Sequence, residues 1–503
     1  MAHSSEPAAH TISRAAGVLL HPTSLPGRYG VGDLGDELIA FLDWAASAGM
    51  KVWQLLPLNP PGYGFSPYGC LSSYAGNYML ISPQRLLQDE LLPDHALDDV
   101  PAFDDVYADF DEIKKLKSRL LRQSFAHFNE NGRAEQKNAL RRFERDNAWL
   151  HDWALYAALK YSQNHREWAS WPRGVAVRDP EALAAASRDL AAEISFRKYV
   201  QWVFFSQWAA VRQAADARGI DIMGDVPIYV AWDSADVWAN RDLFQLDDSG
   251  KPTVVAGVPP DYFSSTGQRW GNPLYRWDVM RETNYRWWVS RIRANLRFAD
   301  IIRLDHFRGF ASYWEIPADE PTAVHGRWMP GPGKALFDAI RSAVGEVKFV
   351  AEDLGFITAE VHDLREAVEV PGMKILQFGF SHVDSPHLPH RYDPHTVVYT
   401  GTHDNDTARG WYDHATHEER DLAREYLGCE AENIAWAMIR AAYTSVAETA
   451  IVPMQDILGL DSEARMNRPG DKHGNWSWRM QAGALTSVAA ERLHKLAEVT
   501  GRL

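Results

Sequence analysis

The chain contains only two cysteines, no excess of basic residues and no long apolar run. Cys70 and Cys429 among 503 residues can build neither a disulfide framework nor a four-cysteine zinc site, which fits a reducing compartment. A formal net charge of −15 argues against nucleic acid as a partner, because phosphate binding needs basic patches. No apolar run reaches membrane-spanning length, and residues 1–16 lack the apolar core of a signal peptide. We therefore expect a cytoplasmic globular protein without a membrane segment.

Aromatic residues are abundant, with 20 tryptophans, 19 tyrosines and 20 phenylalanines. Tryptophan faces stack on the apolar faces of sugar rings, although large aromatic side chains are equally common as core fillers. The composition alone therefore favours a carbohydrate ligand only weakly.

Eight short, β-rich apolar runs recur along the chain, and amphipathic helical patterns separate most of them. This alternation predicts parallel βαβ units, and eight of them favour a closed (β/α)8 barrel over an open doubly wound sheet, the structural alternative. The predicted strands are 17–21, 52–58, 221–230, 300–307, 347–353, 373–380, 396–403 and 450–457. The predicted helices beside them are 36–48, 196–218, 285–298, 333–344, 358–368 and 433–448.

Two spans exceed what a plain barrel needs. Residues 59–195, after the second strand, begin with a Pro/Gly/Tyr-rich loop and continue as charged helical sequence. Residues 231–275, after the third strand, form a second, loop-rich insertion rich in Trp, Pro, Gly and Asp. Both leave from the carboxyl ends of strands, the functional face of such barrels, so both are expected to shape a cleft. We treat residues 1–503 as one barrel domain carrying these two insertions.

The run 301–307, Ile-Ile-Arg-Leu-Asp-His-Phe, places charges inside an apolar strand. Buried charges are rare unless they are paired or functional. Arg303 and Asp305 are two residues apart, so their side chains lie on the same face of the strand. A guanidinium beside a carboxylate keeps it ionised, as the nucleophile of a retaining glycosidase must be.

Other polar residues stand where further strands end, and the carboxyl ends of parallel strands meet at one mouth of a barrel. Asp225 ends the third strand, Glu352 the fifth, and His403 with Asp404 the seventh. The apolar residues before Glu352 predict a raised pKa, as a general acid needs. Asp404 is suited to hydrogen-bond sugar hydroxyls and to stabilise an oxocarbenium-like transition state. Any one of these residues alone is more often a helix cap or turn residue.

A metal site is the main alternative for the same side chains. His306, His403, Asp305 and Asp404 include oxygen and nitrogen ligands for a divalent ion. No pair of histidines near them has His-x-x-x-His spacing, and no cysteine helps, so we predict no metal. His306, adjacent to Asp305, is expected to face away from the barrel axis and to support the strand end.

Eleven motifs occur in one order along nearly the whole chain, and together they resemble the amylomaltase (disproportionating enzyme) type of 4-α-glucanotransferase, glycoside hydrolase family 77 of the α-amylase clan. The motifs lie at 21–27, 66–68, 75–77, 224–228, 233–238, 257–264, 268–273, 303–309, 351–355, 401–405 and 467–470. The resemblance implies that Asp305 is the nucleophile, Glu352 the general acid/base and Asp404 the transition-state stabiliser. It implies no cofactor.

The resemblance also implies a set of binding residues. Arg303 would position Asp305, and the glucose at the cleavage site would contact His403 and Asp225. Tyr68 would line either the donor or the acceptor side, and a loop over the cleft would press aromatic rings on the acceptor sugar, although simple loop packing is an alternative for those rings. The implied binding residues are Arg303, His403, Asp225, Tyr68, Tyr262, Phe263, Gln268, Trp270 and Asn467.

One segment departs from the family pattern. Residues 68–72 read Tyr-Gly-Cys-Leu-Ser, where polar residues are expected, so chain binding near Tyr68 stays open. No histidine flanks Cys70, and we expect it to be a packing residue, not a nucleophile.

The reaction implied is a retaining double displacement that transfers a 1,4-α-glucan segment to the 4-hydroxyl of an acceptor. The expected donors and acceptors are maltooligosaccharides, amylose and glucose. An α-glucan hydrolase with the same carboxylates is the first rival, because loops and not catalytic residues separate the two activities. A non-catalytic glucan-binding barrel is the second, and the complete set of Asp305, Glu352 and Asp404 argues against it.

Overall fold

The computed structural model describes residues 14–260, 264–471 and 473–503, so Tyr262 and Phe263 lie outside the described residues. Eight parallel strands form the central sheet, in the spatial order β6-β7-β8-β1-β2-β3-β4-β5. The strands are β1 (Ala15–Leu19), β2 (Val52–Gln54), β3 (Asp221–Pro227), β4 (Ile301–Asp305), β5 (Lys348–Ala351), β6 (Gly372–Ile375), β7 (Thr396–Tyr399) and β8 (Thr449–Pro453).

The two edge strands of this sheet, β5 and β6, approach each other and nearly close it. The backbone N–H of Ala351 donates to the carbonyl oxygen of Pro371 at 2.9 Å, just before β6 begins. The predicted (β/α)8 barrel is therefore confirmed, with every predicted strand represented by an observed one.

Several strands end earlier than the apolar runs that predicted them. The runs 373–380 and 450–457 each continue past the strand into a buried helical turn, Leu376–Ser381 and Met454–Ile457. The hydrophobic pattern alone cannot distinguish a short buried strand from a helical turn that continues it. The carboxyl ends of the strands are thus the part of the barrel that the sequence describes least well.

Helices account for much of the remaining chain, and the predicted barrel helices are all present with small shifts at their ends. The α-helices are Asp36–Ser47, Pro83–Gln88, Phe110–Asn131, Ala134–Asp146, Trp149–Ser162, Arg173–Ala176, Pro180–Asp189, Ala191–Asp216, Ala235–Ala239, Trp277–Glu282, Arg286–Asn295, Arg308–Ala311, Lys334–Val344, Ala359–Ala367, Ala408–His414, His417–Leu427, Ile434–Thr444, Met454–Ile457 and Ser487–Val499. Within the described ranges, no helix combines the length and apolarity needed to cross a bilayer.

A second, four-stranded antiparallel sheet stands beside the barrel mouth. Its strands, in spatial order, are Gln268–Pro273, Val254–Val258, Ser312–Pro317 and Arg327–Pro330. Two come from the segment after β3 and two from the segment after β4, so the sheet joins two neighbouring βα connections. The sequence analysis did not predict it, because the strand Gln268–Pro273 is largely exposed and shows no alternation of apolar residues.

The segments after β2 and β3 are tied to each other next to Tyr68. The backbone N–H of Ala235 donates to the carbonyl oxygen of Leu71 at 2.8 Å. The backbone N–H of Ser73 donates to the buried Asp236 carboxylate at 2.7 Å. Burial raises the pKa of Asp236 to about 6, and the Ser73 hydrogen bond opposes that shift. These two bonds fix the loop that carries Tyr68 over the barrel mouth.

Candidate active site

Arg303 is the centre of the polar cluster in the barrel mouth. Its Nη1 atom donates to both oxygens of Asp225, at 2.8 and 2.7 Å, and to Oδ1 of Asp305 at 2.9 Å. Asp225 and Arg303 are in register on the neighbouring strands β3 and β4, which explains the contact. Burial alone lowers the pKa of Arg303, but the Asp225 and Asp305 carboxylates together raise it well above its usual value. The guanidinium is therefore a fixed positive charge beside Asp305.

Asp225 forms hydrogen bonds to two other side chains of the cluster, in addition to its expected role in sugar binding. Its side chain is fully buried, and its Oδ2 atom also accepts a hydrogen bond from the Tyr68 hydroxyl at 2.8 Å. Burial raises the pKa of Asp225, and the Arg303 charge acts in the opposite direction. Asp225 thus shares the Nη1 atom of Arg303 with Asp305 and links Arg303 to Tyr68.

Glu352 follows β5 directly and is held by two backbone donors. Its Oε2 atom accepts from the N–H of His306 at 2.8 Å, and its Oε1 atom from the N–H of Leu354 at 3.0 Å. Burial, and secondly the negative charge of Asp305, raise the pKa of Glu352 to about 8, against the effect of these hydrogen bonds and of Arg303. At neutral pH the group therefore carries a proton. The carboxyl group has the protonation state of a general acid.

The neighbouring carboxyl group turns to the other side of the strand. Oδ1 of Asp353 accepts from the backbone N–H of Met373 on β6 at 2.7 Å, and Oδ2 lies 3.5 Å from Nε of Arg365. Adjacent residues on an extended chain face opposite ways, so only Glu352 reaches the Arg303 cluster.

Asp404 lies after β7 and is more open to solvent, with 48% of its side chain exposed. Its Oδ1 atom accepts from Nδ2 of Asn467 at 2.6 Å and lies 3.4 Å from Nε2 of His403. The main-chain oxygen of Asp404 accepts from Nη2 of Arg465 at 2.7 Å. The structure therefore brings together the predicted residues Asp404, His403 and Asn467. Arg465 binds the main chain of the loop that carries Asp404.

Aromatic rings line the cleft between Tyr68 and Asp404. The rings of Tyr68 and His403 stack with their centroids 5.1 Å apart and an interplanar angle of 17°. The Trp476 ring lies within 5.9 Å of Tyr68 and 6.0 Å of His403. Trp476 was not among the expected site residues, since it belongs to none of the motifs and reaches the cleft only through the fold.

Trp270 and Gln268 stand on the edge strand of the small sheet, on the opposite side of the mouth. The indole Nε1 of Trp270 donates to Oε1 of Gln268 at 3.1 Å, and the indole is 38% exposed. The Trp270 ring meets the His306 ring at 4.8 Å between centroids. Gln268 and Trp270 thus lie beside the turn that follows Asp305.

His306 lies in the turn just beyond β4, so its orientation relative to the barrel axis stays a prediction. β4 ends at Asp305, and His306 has a φ of 53°, in the left-handed region. Side chains alternate between two faces only along a strand, so alternation does not set the direction of the His306 side chain. What the sequence analysis missed is its backbone N–H, which holds Glu352. Left-handed turns are enriched in histidine and asparagine, but that preference is too weak to find such a turn from sequence.

Two further expectations concern metals and Cys70. In the part of the chain that the structure describes, no group of three or more His, Cys, Asp and Glu side chains is arranged to hold a metal ion. Cys70 is buried, and burial raises the pKa of its thiol to about 12, so it stays protonated and unreactive.

The geometry places two carboxyl groups with different environments at the ends of adjacent strands. Asp305 lies against a guanidinium and is partly open to the cleft, with 29% of its side chain exposed. Glu352 is half-buried, and its raised pKa of about 8 keeps it protonated at neutral pH. Such a pair has the chemistry of a nucleophile and an acid acting on one glycosidic bond.

Comparisons with known proteins identify the family of the chain. The 4-alpha-glucanotransferase of Thermus thermophilus is 48% identical over 98% of this chain and 100% of its own length. That of Synechocystis sp. is 47% identical, over 97% of this chain and 98% of its own. A solved amylomaltase from Streptococcus agalactiae in complex with acarbose is 36% identical, with a TM-score of 0.94 over 97% of this chain and 99% of that chain. A sequence model of the 4-alpha-glucanotransferases, glycoside hydrolase family 77, matches residues 20–486, and the chain belongs to this family.

Proposed function

We propose that this 4-alpha-glucanotransferase works by retaining double displacement, moving a segment of a 1,4-α-glucan to the 4-hydroxyl of an acceptor. The observation that carries the proposal is the contrast between two neighbouring carboxyl groups. Arg303 donates to Asp305 at 2.9 Å, whereas the pKa of Glu352 is raised to about 8. One group is fitted to attack and the other to give a proton.

In the first step, Glu352 gives its proton to the oxygen of an α-1,4 bond while a carboxylate oxygen of Asp305 attacks the anomeric carbon. The glucan beyond the cleaved bond leaves with that proton as its 4-hydroxyl. A covalent β-glucosyl ester of Asp305 forms, and Glu352 is left as a carboxylate. The N–H groups of His306 and Leu354 are already directed at that carboxylate, so its negative charge meets preorganised donors.

In the second step, the 4-hydroxyl of another glucan attacks the anomeric carbon and gives its proton to Glu352. The bond to Asp305 breaks, and the carboxylate returns to Arg303. Two inversions leave the α configuration unchanged. Asp404, 48% exposed and held by Asn467, is placed to hydrogen-bond sugar hydroxyls as positive charge develops on the ring.

The binding residues follow the same proposal. His403 and Asp225 would contact the glucose at the cleavage site, and Tyr68 would line the cleft beside them. Gln268 and Trp270, together with Tyr262 and Phe263, would contact the acceptor. We also propose that residues 59–195 and 231–275 act with the barrel as a single catalytic domain, and that the protein is cytoplasmic, because Cys70 and Cys429 are both free.

Maltotriose as the sole substrate separates transfer from the rival activity, hydrolysis. We expect glucose together with oligomers longer than three units, while the number of reducing ends stays constant. A rise in reducing ends with only shorter products would instead identify a hydrolase.

Asp305→Asn is the matched control, expected to lower turnover by at least about 10³-fold because no covalent ester can form. It should still bind acarbose, the ligand named for the solved amylomaltase. Full transfer by Asp305→Asn would refute the assignment.

A further inference from the structure

The turn after β4 holds the Glu352 residue by its backbone as well as by its carboxyl group. The N–H of His306 donates to Oε2 of Glu352 at 2.8 Å, and the next N–H, of Phe307, donates to the main-chain oxygen of Glu352 at 3.0 Å. The first of these bonds depends on the left-handed conformation of His306, with a φ of 53°. Because φ and ψ of His306 set the angle between its own N–H and that of Phe307, the ordinary backbone region would prevent both N–H groups from reaching Glu352 at once.

The side chain of His306 is packed in a way that restrains this turn. Its ring meets the Trp270 ring edge to face, at 4.8 Å and 89°. A methyl group at Gly309 would come within 3.3 Å of Cδ2 of His306, so the ring is closed in from that side as well. Burial lowers the pKa of His306 to about 4, Asp305 acts against this shift and Arg308 adds to it, so the ring is neutral in the working range.

We propose that His306 is a positioning residue that links the indole of Trp270 to the orientation of the acid/base Glu352. The edge-to-face contact keeps the His306 backbone left-handed, and that backbone aims its N–H at Oε2. The inference deepens the proposed function and rests on it, because it takes Glu352 as the acid/base and Trp270 as a contact of the acceptor.

The link has a consequence for transfer against hydrolysis. A sugar stacked on the partly exposed Trp270 restrains the indole and therefore the turn behind it. The N–H of His306 stabilises the carboxylate of Glu352, the form that must take the proton from the acceptor 4-hydroxyl. A bound acceptor thus steadies the base in the step that consumes the acceptor, whereas water brings no such contact.

The test is the pH profile of kcat/KM for maltotriose in His306→Ala, His306→Asn, Trp270→Leu and the double variant His306→Ala/Trp270→Leu. The charged groups that face Glu352 are Asp305 and Arg303, and no variant changes them. Trp328→Leu is the matched control. Trp328 is 37% exposed on the opposite edge strand of the same sheet, and its indole contacts Arg308, not His306.

Loss of the N–H bond to the carboxylate raises the pKa of Glu352. The alkaline limb of the kcat/KM profile should therefore move to higher pH, by about half a pH unit, in His306→Ala and Trp270→Leu. His306→Asn should shift it less, because asparagine tolerates the left-handed backbone. The double variant should shift it no further than the larger single shift, since both changes break one link. Trp328→Leu should keep the wild-type limb.

Additive shifts in the double variant would overturn the proposal. An alkaline limb that stays at the wild-type pH would also overturn it, provided that the Tm of each variant shows that it is folded. Should His306→Ala fail to fold, His306→Asn and Trp270→Leu carry the same comparison. Failure of the proposed function is distinguishable, because the wild-type protein would then form no oligomers longer than maltotriose at any pH.

Discussion

At the scale of single residues, the two carboxyl groups of the proposed reaction are held by opposite kinds of partner. The Asp305 carboxylate accepts a hydrogen bond from a guanidinium at 2.9 Å, whereas desolvation and the negative charge of Asp305 raise the pKa of Glu352 to about 8. The same two N–H groups that hold Glu352 oppose its raised pKa and keep the proton transferable. All of these partners of Asp305 and Glu352 lie in the barrel mouth.

The raised pKa of Glu352 predicts a measurable effect on stability. Between the ordinary value of 4.5 and about 8, the unfolded chain has lost this proton and the folded chain keeps it, so stability contributed by the group falls as pH rises. The free energy of unfolding of Glu352→Gln, minus that of the wild type, should therefore grow across this window by about 2–4 kcal/mol. Urea unfolding at pH 5 and pH 8 measures it. If the free energies of unfolding of the two proteins change equally between pH 5 and pH 8, the raised pKa is contradicted.

Asn467 offers a second test at this scale. Its Nδ2 atom donates to Oδ1 of Asp404 at 2.6 Å, and the bond fixes a carboxylate that is otherwise half exposed. Asn467→Ala should lower kcat/KM for transfer by about tenfold, the effect of one hydrogen bond to a charged group. Arg468→Ala, next along the chain, is the control. Equal losses in the two variants would mean that the loop, not the bond, is responsible.

The residues found from sequence are those whose chemistry is local. Arg303 and Asp305 lie on one short strand, so their spacing alone predicted that they share a face. The contact between Asp225 and Arg303, the position of Trp476 and the turn at His306 depend on strand register and on chain segments far apart, which no local pattern records.

At the scale of elements, strand beginnings were predictable and strand ends were not. From β2 onward, each strand begins within one residue of the start of the β-rich run that predicted it. Beyond the last ladder bond the chain stays apolar but turns into the loops of the mouth, as at Leu376–Ser381. The small antiparallel sheet has exposed edges and short strands, and it is stabilised by pairing across two connections that sequence periodicity treats separately.

The segment 259–264 gives a prediction for an element. If it excludes water while an acceptor is held, shortening it should raise the ratio of hydrolysis to transfer severalfold, because water then reaches the glucosyl enzyme. Released glucose and new reducing ends from maltotriose give the two rates. Shortening the exposed turn at 319–322, on another connection of the small sheet, is the control. An unchanged ratio would refute the gating role.

At the scale of the whole molecule, the barrel collects its chemistry from distant parts of the chain. Asp225 and Asp305 lie on β3 and β4, Glu352 and Asp404 follow β5 and β7, and the parallel strands bring all four residues to one end of the barrel. The two insertions also leave from that end and are hydrogen-bonded to each other beside Tyr68. The cleft is therefore a property of the assembled barrel and not of any one segment.

The most direct test of the account is to trap the covalent intermediate. Glu352→Gln, incubated with α-maltosyl fluoride, should form the ester because fluoride leaves without a proton, and should release it slowly because no base remains. Mass spectrometry of the digested protein should then find a glucan attached to the peptide that contains Asp305. A glucan attached to any other residue, or rapid transfer from the fluoride with no protein-bound sugar, would contradict double displacement through Asp305.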